Sequence, residues 1–418
     1  MVDQENKDQL VIKFGKLNLD FSEDDNIYAP FHKISTDEKE NKKRYQLLEL
    51  VKYPFFLQSR SDKVVESRKG HIAYKKFKKL LKQGVSDEEL DEASKYSGST
   101  YKLKKIYKDI NNQKGAWIIN AHQDWGLPDS FDGHVWDIIM KLVSDTLDKY
   151  GEVYMIYPIT PNMIENELIR RKVFKSRSGK TAARIKDSIY RLKNTTYSYD
   201  NGFLRKDTKE YISYDFQLIT SIYERGEEKP NGTHSNKFSL AIDPIIAVNL
   251  RHNRYLIVLH NRREKLIKYE SIVLFDRLSY FLYIDIKKEN VFKSIQMRLD
   301  IYRKFSYEKI CEYLGVEPKK GIEYKKAKIV EQMSVYHKEL IDQDVLQEVI
   351  IQDTGDVGNK KYHFVYIFKR EFLLDMLNLL SKADKLKDRD YTAKERKDHI
   401  SFLQRQINDP QILQSLFK

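Results

Sequence analysis

A chain of 418 residues with 41% hydrophobic content, 20 Phe and 28 Tyr has enough apolar material for about two to four cored domains. Its 75 Lys and Arg against 62 Asp and Glu leave a charge of +13 and a pI near 9.2, which fits a polyanionic partner, nucleic acid above all. A single cysteine, Cys311, excludes an intramolecular disulfide and a thiolate-built zinc site, while 16 Gly and 9 Pro exclude collagen-like or low-complexity classes.

No apolar run approaches the roughly 18 residues of a membrane span. The polar start Met1-Val-Asp-Gln-Glu-Asn-Lys7 lacks a signal-peptide core, so a cytoplasmic location is expected. Residues 1–113 read as an N-terminal region of unassigned role. It opens on a strand, Gln9–Phe14, and turns polar through Ser35–Lys43. Two charged helices are expected over Tyr74–Gln83 and Ser86–Tyr96, the second opening on a capping box in which Ser86 meets the amide of Glu89.

The texture changes from Trp117 onward. Phe131–Tyr150 places Phe131, Val135, Ile138, Ile139, Leu142, Val143, Thr146 and Leu147 on one helical face. Thr160-Pro161 starts a short helix to Arg170, with Thr as N-cap and Pro at the first position. A turn at Ser176–Gly179 leads to a third helix, Lys180–Lys193. Strand signals follow at Thr195–Tyr199, an Asn201-Gly202 turn, Tyr211–Tyr223 and, beyond a polar tip over 224–236, Lys237–Ile242. The order then recurs. Helices are expected over Ile272–Ile284, Tyr307–Leu314 (capped by Ser306) and Tyr324–Leu340, then strands over Gln347–Gln352 and Lys361–Lys369 around a turn-rich tip. Cys311 falls in the second of these helices and reads as a small buried packing residue. Arg370–Lys418 is helical and charged. Three helices followed by a hairpin with a polar tip is winged-helix order, here twice.

Charge placement sharpens this reading. From Lys172 to Lys193 the chain carries Lys172, Lys175, Arg177, Lys180, Arg184, Lys186, Arg191 and Lys193 against one acid, Asp187. At 100° per residue Ala182, Ile185, Ile189 and Leu192 share one face, and Arg177, Lys180, Arg184 and Arg191 fall roughly opposite. An apolar stripe seats a helix on its domain, while an opposed cationic stripe suits the major groove, where Arg forks onto guanine and Lys neutralises phosphate. The alternative is a solvated basic helix on a basic protein. A second basic segment, Arg251–Lys268 with Arg262 and Arg263, reads equally as a strand beside a DNA backbone or as a basic edge strand. In the second repeat Ile329, Met333, Tyr336 and Leu340 make a buried face, with Lys328 and Lys338 pointing away and Lys319, Lys320, Lys325 and Lys326 just before. The DNA-contacting set expected from the sequence is therefore Arg177, Lys180, Arg184, Arg191, Lys193, Arg262, Arg263, Lys325 and Lys328.

Several stretches carry a family likeness: Gly126-Leu-Pro128, Asp132-Gly-His-Val135, Gly179, Ile185 with Ser188-Ile-Tyr-Arg191-Leu192-Lys-Asn-Thr195-Thr196, Phe238-Ser-Leu240 through Tyr255-Leu256, and Leu274-Phe-Asp-Arg277-Leu278. Over about residues 115–315 the chain resembles plasmid replication initiators of the replication initiator protein A type, relatives of the tandem winged-helix Rep families. That resemblance implies binding to repeated origin DNA, duplex opening and recruitment of host replication proteins such as the replicative helicase. The first 110 residues do not belong to it.

Catalytic motifs are incomplete. Ser178-Gly179-Lys180-Thr181 mimics the end of a phosphate-binding loop, but Phe174 stands where its upstream glycine is required. His122, His134, His260 and His337 have no partner histidine at ligand spacing, so the tyrosines read as packing residues rather than nucleophiles. Asp285 is a single carboxylate where a polymerase site needs a pair. The sequence therefore predicts an α+β fold with an N-terminal region at 1–113, winged helices at 114–268 and 269–370, and a helical tail at 371–418. It predicts a non-enzymatic, cofactor-free, metal-free initiator that binds double-stranded DNA, with a homodimer and host replication proteins as further partners. A winged-helix repressor is the alternative, and a metal-dependent nuclease or primase-like enzyme the more distant one.

Overall fold

The computed structural model describes residues 11–14, 17–20, 29, 43–47, 55–57, 67, 101–108, 114–122, 124–205, 210–228, 234–251, 255–286, 288–316, 323–355, 361–379, 392–407 and 409–416. The two helices expected over Tyr74–Gln83 and Ser86–Tyr96 lie outside these residues, as do Lys319 and Lys320.

The chain is a mixed α+β protein. It begins with strands β1 (Val11–Phe14), β2 (Leu17–Asp20), β3 (Lys43–Leu47), β4 (Tyr101–Lys108) and β5 (Lys114–Ala121). Helix α1 (Ser130–Tyr150), strand β6 (Ile156–Ile159) and helices α2 (Pro161–Arg170) and α3 (Gly179–Lys193) follow. Next come β7 (Thr195–Arg205), β8 (Glu210–Phe216), β9 (Ile219–Glu228), β10 (His234–Ile242), α4 (Pro244–Arg251), β11 (Tyr255–Leu259) and α5 (His260–Arg263). The remainder runs α6 (Tyr269–Asp285), α7 (Glu289–Gln296), β12 (Tyr302–Ser306), α8 (Tyr307–Tyr313), α9 (Glu323–Asp342), β13 (Leu346–Asp353), β14 (Tyr362–Phe368), α10 (Arg370–Leu379), α11 (Ala393–Gln406) and α12 (Pro410–Leu416).

One arrangement occurs twice. In the first half, helix α1, edge strand β6, helices α2 and α3 and the hairpin β9–β10 form a unit whose antiparallel sheet runs β6-β10-β9. In the second, α6, β12, α8, α9 and the hairpin β13–β14 repeat that order in a sheet running β12-β14-β13. Both leading strands escape a sequence reading for the same reason. Strand β6 contains Pro158 and β12 contains Arg303 and Lys304. Each lies at a sheet edge, where a missing N–H or a charged side chain is tolerated.

The caps follow the sequence closely. Thr160 accepts from the Met163 amide with Pro161 in the first turn, and Ser306 accepts from the Lys309 amide. Helix α1 carries its expected apolar face into the core, and its other side is covered as well: every residue from Phe131 to Thr146 is buried, so it is a central helix. Its capping box is made by Asp129 and Asp132. Strand β14 is likewise buried on both faces. Phe364, Tyr366 and Phe368 point into the second core, while Val365 and Ile367 meet Ile407 and Ile412 from the tail.

The region after α3 needs the largest correction. Asn201-Gly202 is not a hairpin turn. Strand β7 continues to Arg205 and absorbs the pair as a register irregularity between Tyr199 and Phe203. The run Tyr211–Tyr223 is not one strand either, because it breaks at Gln217-Leu218 into β8 and β9, which join different sheets. Strands β4, β5, β7 and β8 make a four-stranded antiparallel sheet inserted into the first unit. Trp117, Tyr197, Tyr199 and Phe216 on one face gather around Phe55, with Phe55–Trp117 centroids 4.6 Å apart and Trp117–Tyr199 4.4 Å apart.

Candidate nucleic-acid interface

Helix α3 is seated by complete burial of Ile185, Ile189 and Leu192, with Ala182 half-buried. Its start is fixed by a capping box between Ser178 and Thr181, and the buried Glu165 of α2 accepts from the Thr181 hydroxyl and, at 3.3 Å, from the Ser178 amide. On the opposite side Arg177, Lys180, Ala183 and Arg184 are exposed, and Lys186, Asp187, Tyr190 and Lys193 are half-buried. Arg177 donates to the Asn166 side chain. The Arg184 guanidinium lies 3.9 Å from the centroid of the Phe131 ring, which holds it at the helix surface.

Arg191 is a correction. It is 8% exposed, pairs with the fully buried Asp132 at 2.6 Å and donates through Nε to the Trp125 carbonyl at 2.7 Å. Periodicity places it opposite Ile189, but the loop before α1 covers that side of the last helical turn. Burial pushes the Asp132 carboxyl up to about 6 against the pull of Arg191. The pair ties the end of α3 to the capping box of α1 instead of offering a cation to a groove.

Toward the hairpin, Tyr190 stacks on Trp125 with centroids 5.1 Å apart and donates its hydroxyl to Glu224 of β9 at 2.5 Å. Glu224 also pairs with Lys186 at 3.1 Å, both side chains being 44% exposed. The hydrogen bond to Glu224 is the main reason the Tyr190 phenol is pushed up to about 12.

The remaining expected contacts divide. Strand β11 pairs antiparallel with β3 in a two-stranded sheet, so over Tyr255–Leu259 the basic segment is an edge strand. Arg263 is 3% exposed and engages Asp137 at 2.5 Å and Asp276 at 2.7 Å. Arg262 donates to Asp375 at 2.5 Å and to backbone carbonyls at Gln343 and Asp344, which binds α5 to the second unit. Neither arginine points into solvent as expected, because the helix-forming run after β11 turns both inward. On α9, Met333 and Leu340 are buried, Tyr336 nearly so, Ile329 is half-buried, and Lys328 and Lys338 are exposed. Lys325 lies in its first turn. The described exposed face of α9 alternates Lys328, Glu331, Lys338 and Asp342 around Ser334 and Val335, so it lacks the cationic bias of α3.

Sequence reasoning missed a buried ionic cluster where the two halves meet. Asp137 of α1 takes Arg44 from β3 at 2.8 Å, Arg171 from the end of α2 at 2.5 Å and Arg263 from α5. Glu167 takes Lys141 at 3.4 Å, Arg170 at 2.7 Å and Arg171 at 3.0 Å; Glu264 takes Lys141 at 2.9 Å. Burial tends to raise the Asp137 carboxyl, but Arg263, Arg44 and Arg171 together hold it well below the usual range. Burial and the surrounding cations keep His260 neutral. The available signal was Asp137, Lys141 and Asp145, which share one face of the helix roughly opposite its apolar residues, with Asp132 apart from them.

Among the described residues no group of three or more His, Cys, Asp or Glu side chains is arranged to hold a metal, and no helix is long and apolar enough to cross a membrane. Cys311 is fully buried, as its helical position predicts. No protein-family model matches the chain, and no curated protein matches it significantly. Among solved structures it is similar to a crystal structure of the Pi initiator protein in complex with iteron DNA, at 14% identity and a TM-score of 0.34, over 57% of this chain and 94% of that one.

Proposed function

We propose that this chain is a sequence-specific duplex-DNA-binding protein with two winged-helix units that initiates replication at repeated origin sites, without catalytic chemistry of its own. The observation that carries the DNA-binding part is the exposed arc of α3. Lys180 and Arg184, with Arg177 just before them, stand on a helix whose other side is locked into the core by Ile185, Ile189 and Leu192. Helix α2, a short turn and α3, beside the β9–β10 hairpin of a three-stranded sheet, is the geometry that offers such a helix to a major groove. The initiator role rests on the likeness of residues 115–315 to plasmid initiators, which also suggests a homodimer and host replication proteins as partners.

The test is binding to a labelled duplex of random sequence across about 50–200 mM salt. Each neutralised phosphate contributes about −0.9 to the slope of log affinity against log salt. Lys180→Gln and Arg184→Gln should each flatten that slope by up to about one such increment. Arg191→Gln should instead lower thermal stability, since it strips the buried Asp132 of its partner. A salt-independent wild type would refute the electrostatic reading. Magnesium-dependent nicking of supercoiled plasmid, lost on changing a carboxylate, would refute the absence of catalysis.

A further inference from the structure

Glu224 is placed oddly for a protein that binds a polyanion. It sits on the hairpin strand β9, yet it reaches back to α3 and accepts the Tyr190 hydroxyl at 2.5 Å while pairing with Lys186 at 3.1 Å. Lys186, Tyr190 and Lys193 follow one another at intervals of four and three residues, so they share the flank of α3 that faces this hairpin. Lys180 and Arg184 lie on the adjoining exposed arc. The acid thus cancels one particular cation of the candidate reading helix.

Stability does not explain the pair. Both charged side chains are 44% exposed, and ion pairs that wet contribute little to folding. Their effect on the field around α3 is larger. A lysine on this flank is a mobile point charge suited to phosphate, and phosphate contacts raise affinity for every sequence alike. With a net charge of +13, the chain already attracts DNA without help from Lys186.

We infer that Glu224 is a specificity determinant: by holding Lys186 and Tyr190 against β9, it withholds a phosphate contact and keeps sequence-independent DNA affinity low. This rests on the reading of α3 as the DNA-facing helix. The test is chosen so that the two can fail separately.

The perturbation is Glu224→Gln, whose amide oxygen still accepts the Tyr190 hydroxyl while the charge is gone. On a random-sequence duplex at about 50 mM salt, E224Q should bind about threefold tighter than wild type, with the salt slope steeper by about 0.9, one counterion's worth. Its melting temperature should stay close to wild type. Lys186→Gln should change little in the wild-type background, where the charge is already neutralised, and should erase the whole gain in the E224Q background. That non-additivity is the signature, because a merely structural Glu224 would not make the effect depend on Lys186. If wild type binds with a steep salt slope but E224Q binds no tighter, the inference about Glu224 is overturned and the DNA-binding reading stands. Equal effects of K186Q in both backgrounds overturn it in the same way. If neither protein binds duplex, the reading of α3 itself fails.

Discussion

Replacing Asp137 by Asn removes one charge and almost no volume, so its effect isolates what the buried carboxylate does. Three guanidiniums converge on it, from Arg44, Arg171 and Arg263, and the four side chains are between 1% and 3% exposed. Removing one partner from a buried ion pair costs about 3–5 kcal/mol, because the other charge is left uncompensated. The three pairs share one carboxylate, so their losses do not add, but D137N leaves three buried cations around a neutral amide. We expect a loss of at least 3–5 kcal/mol against a typical total of about 5–15 kcal/mol. Arg44→Met should cost less, since Asp137 keeps two partners. Arg44 is also the least well held of the three: burial, with Arg263 and Arg171 nearby, lowers it to about 9. Urea denaturation followed by circular dichroism gives both values, with an unchanged m-value as the check on two-state behaviour. Because the folded carboxyl titrates well below 3.8, its contribution is fully present above that value and is lost only as pH falls below it. The gap between wild type and D137N should therefore stay constant through mildly acidic pH. A loss under about 1 kcal/mol would refute the reasoning, since only a hydrated cluster costs so little to break.

Two further outcomes follow from particular contacts. A Cβ on Gly133 would lie 2.3 Å from Cζ of Tyr269, an aromatic ring wedged between Phe56 and His134, so Gly133→Ala must displace that ring. Overpacking costs about 1–3 kcal/mol and the helix gains about 1 kcal/mol from alanine. Thermal melts should show net destabilisation, and a raised melting temperature would show that Tyr269 moves freely. Burial raises the Asp243 carboxyl to about 7 despite hydrogen bonds from the Ile245 amide and the Tyr214 hydroxyl. A raised carboxyl stabilises below its unfolded value and loses that stabilisation as pH rises through about 7. Asp243→Asn should therefore gain on wild type between mildly acidic and mildly alkaline pH, and pH-independent melting differences would contradict it.

The sequence carried the helices of both units because their signals are local. Thr160-Pro161 and Ser306 are caps with fixed spacing, and the 3.6-residue period of α3 and α9 repeats enough times to stand clear of noise. Strand pairing is not local. Nothing in Thr195–Arg205 announces that it pairs with β5, some eighty residues upstream, rather than closing a turn at Asn201-Gly202, because that partner is chosen by the aromatic cluster around Phe55. Arg191 and Arg263 failed for a related reason. Helical phase says which way a residue points from its own axis, not whether another segment covers that direction. The Trp125 loop covers one, and Asp137 and Asp276 receive the other.

Helix α2 shows how these two kinds of information meet. Glu165 and Glu167 are two residues apart, about 200° around the helix, so they project to opposite sides. Glu165 holds the start of α3 through Ser178 and Thr181, and Glu167 joins Lys141, Arg170 and Arg171 in the ionic cluster. The connection between α2 and α3 is short and tied to α2 at its start, with Lys172 in the left-handed region at φ 60° and the Val173 and Phe174 amides donating to the Leu168 carbonyl. A shift of α2 within the cluster would therefore carry the first turn of α3, and Lys180 with it. The cations that face solvent are aimed by charges that never see it. The position of the candidate reading surface is thus set jointly by β3, α1, α5 and α6, elements that contribute none of its exposed residues.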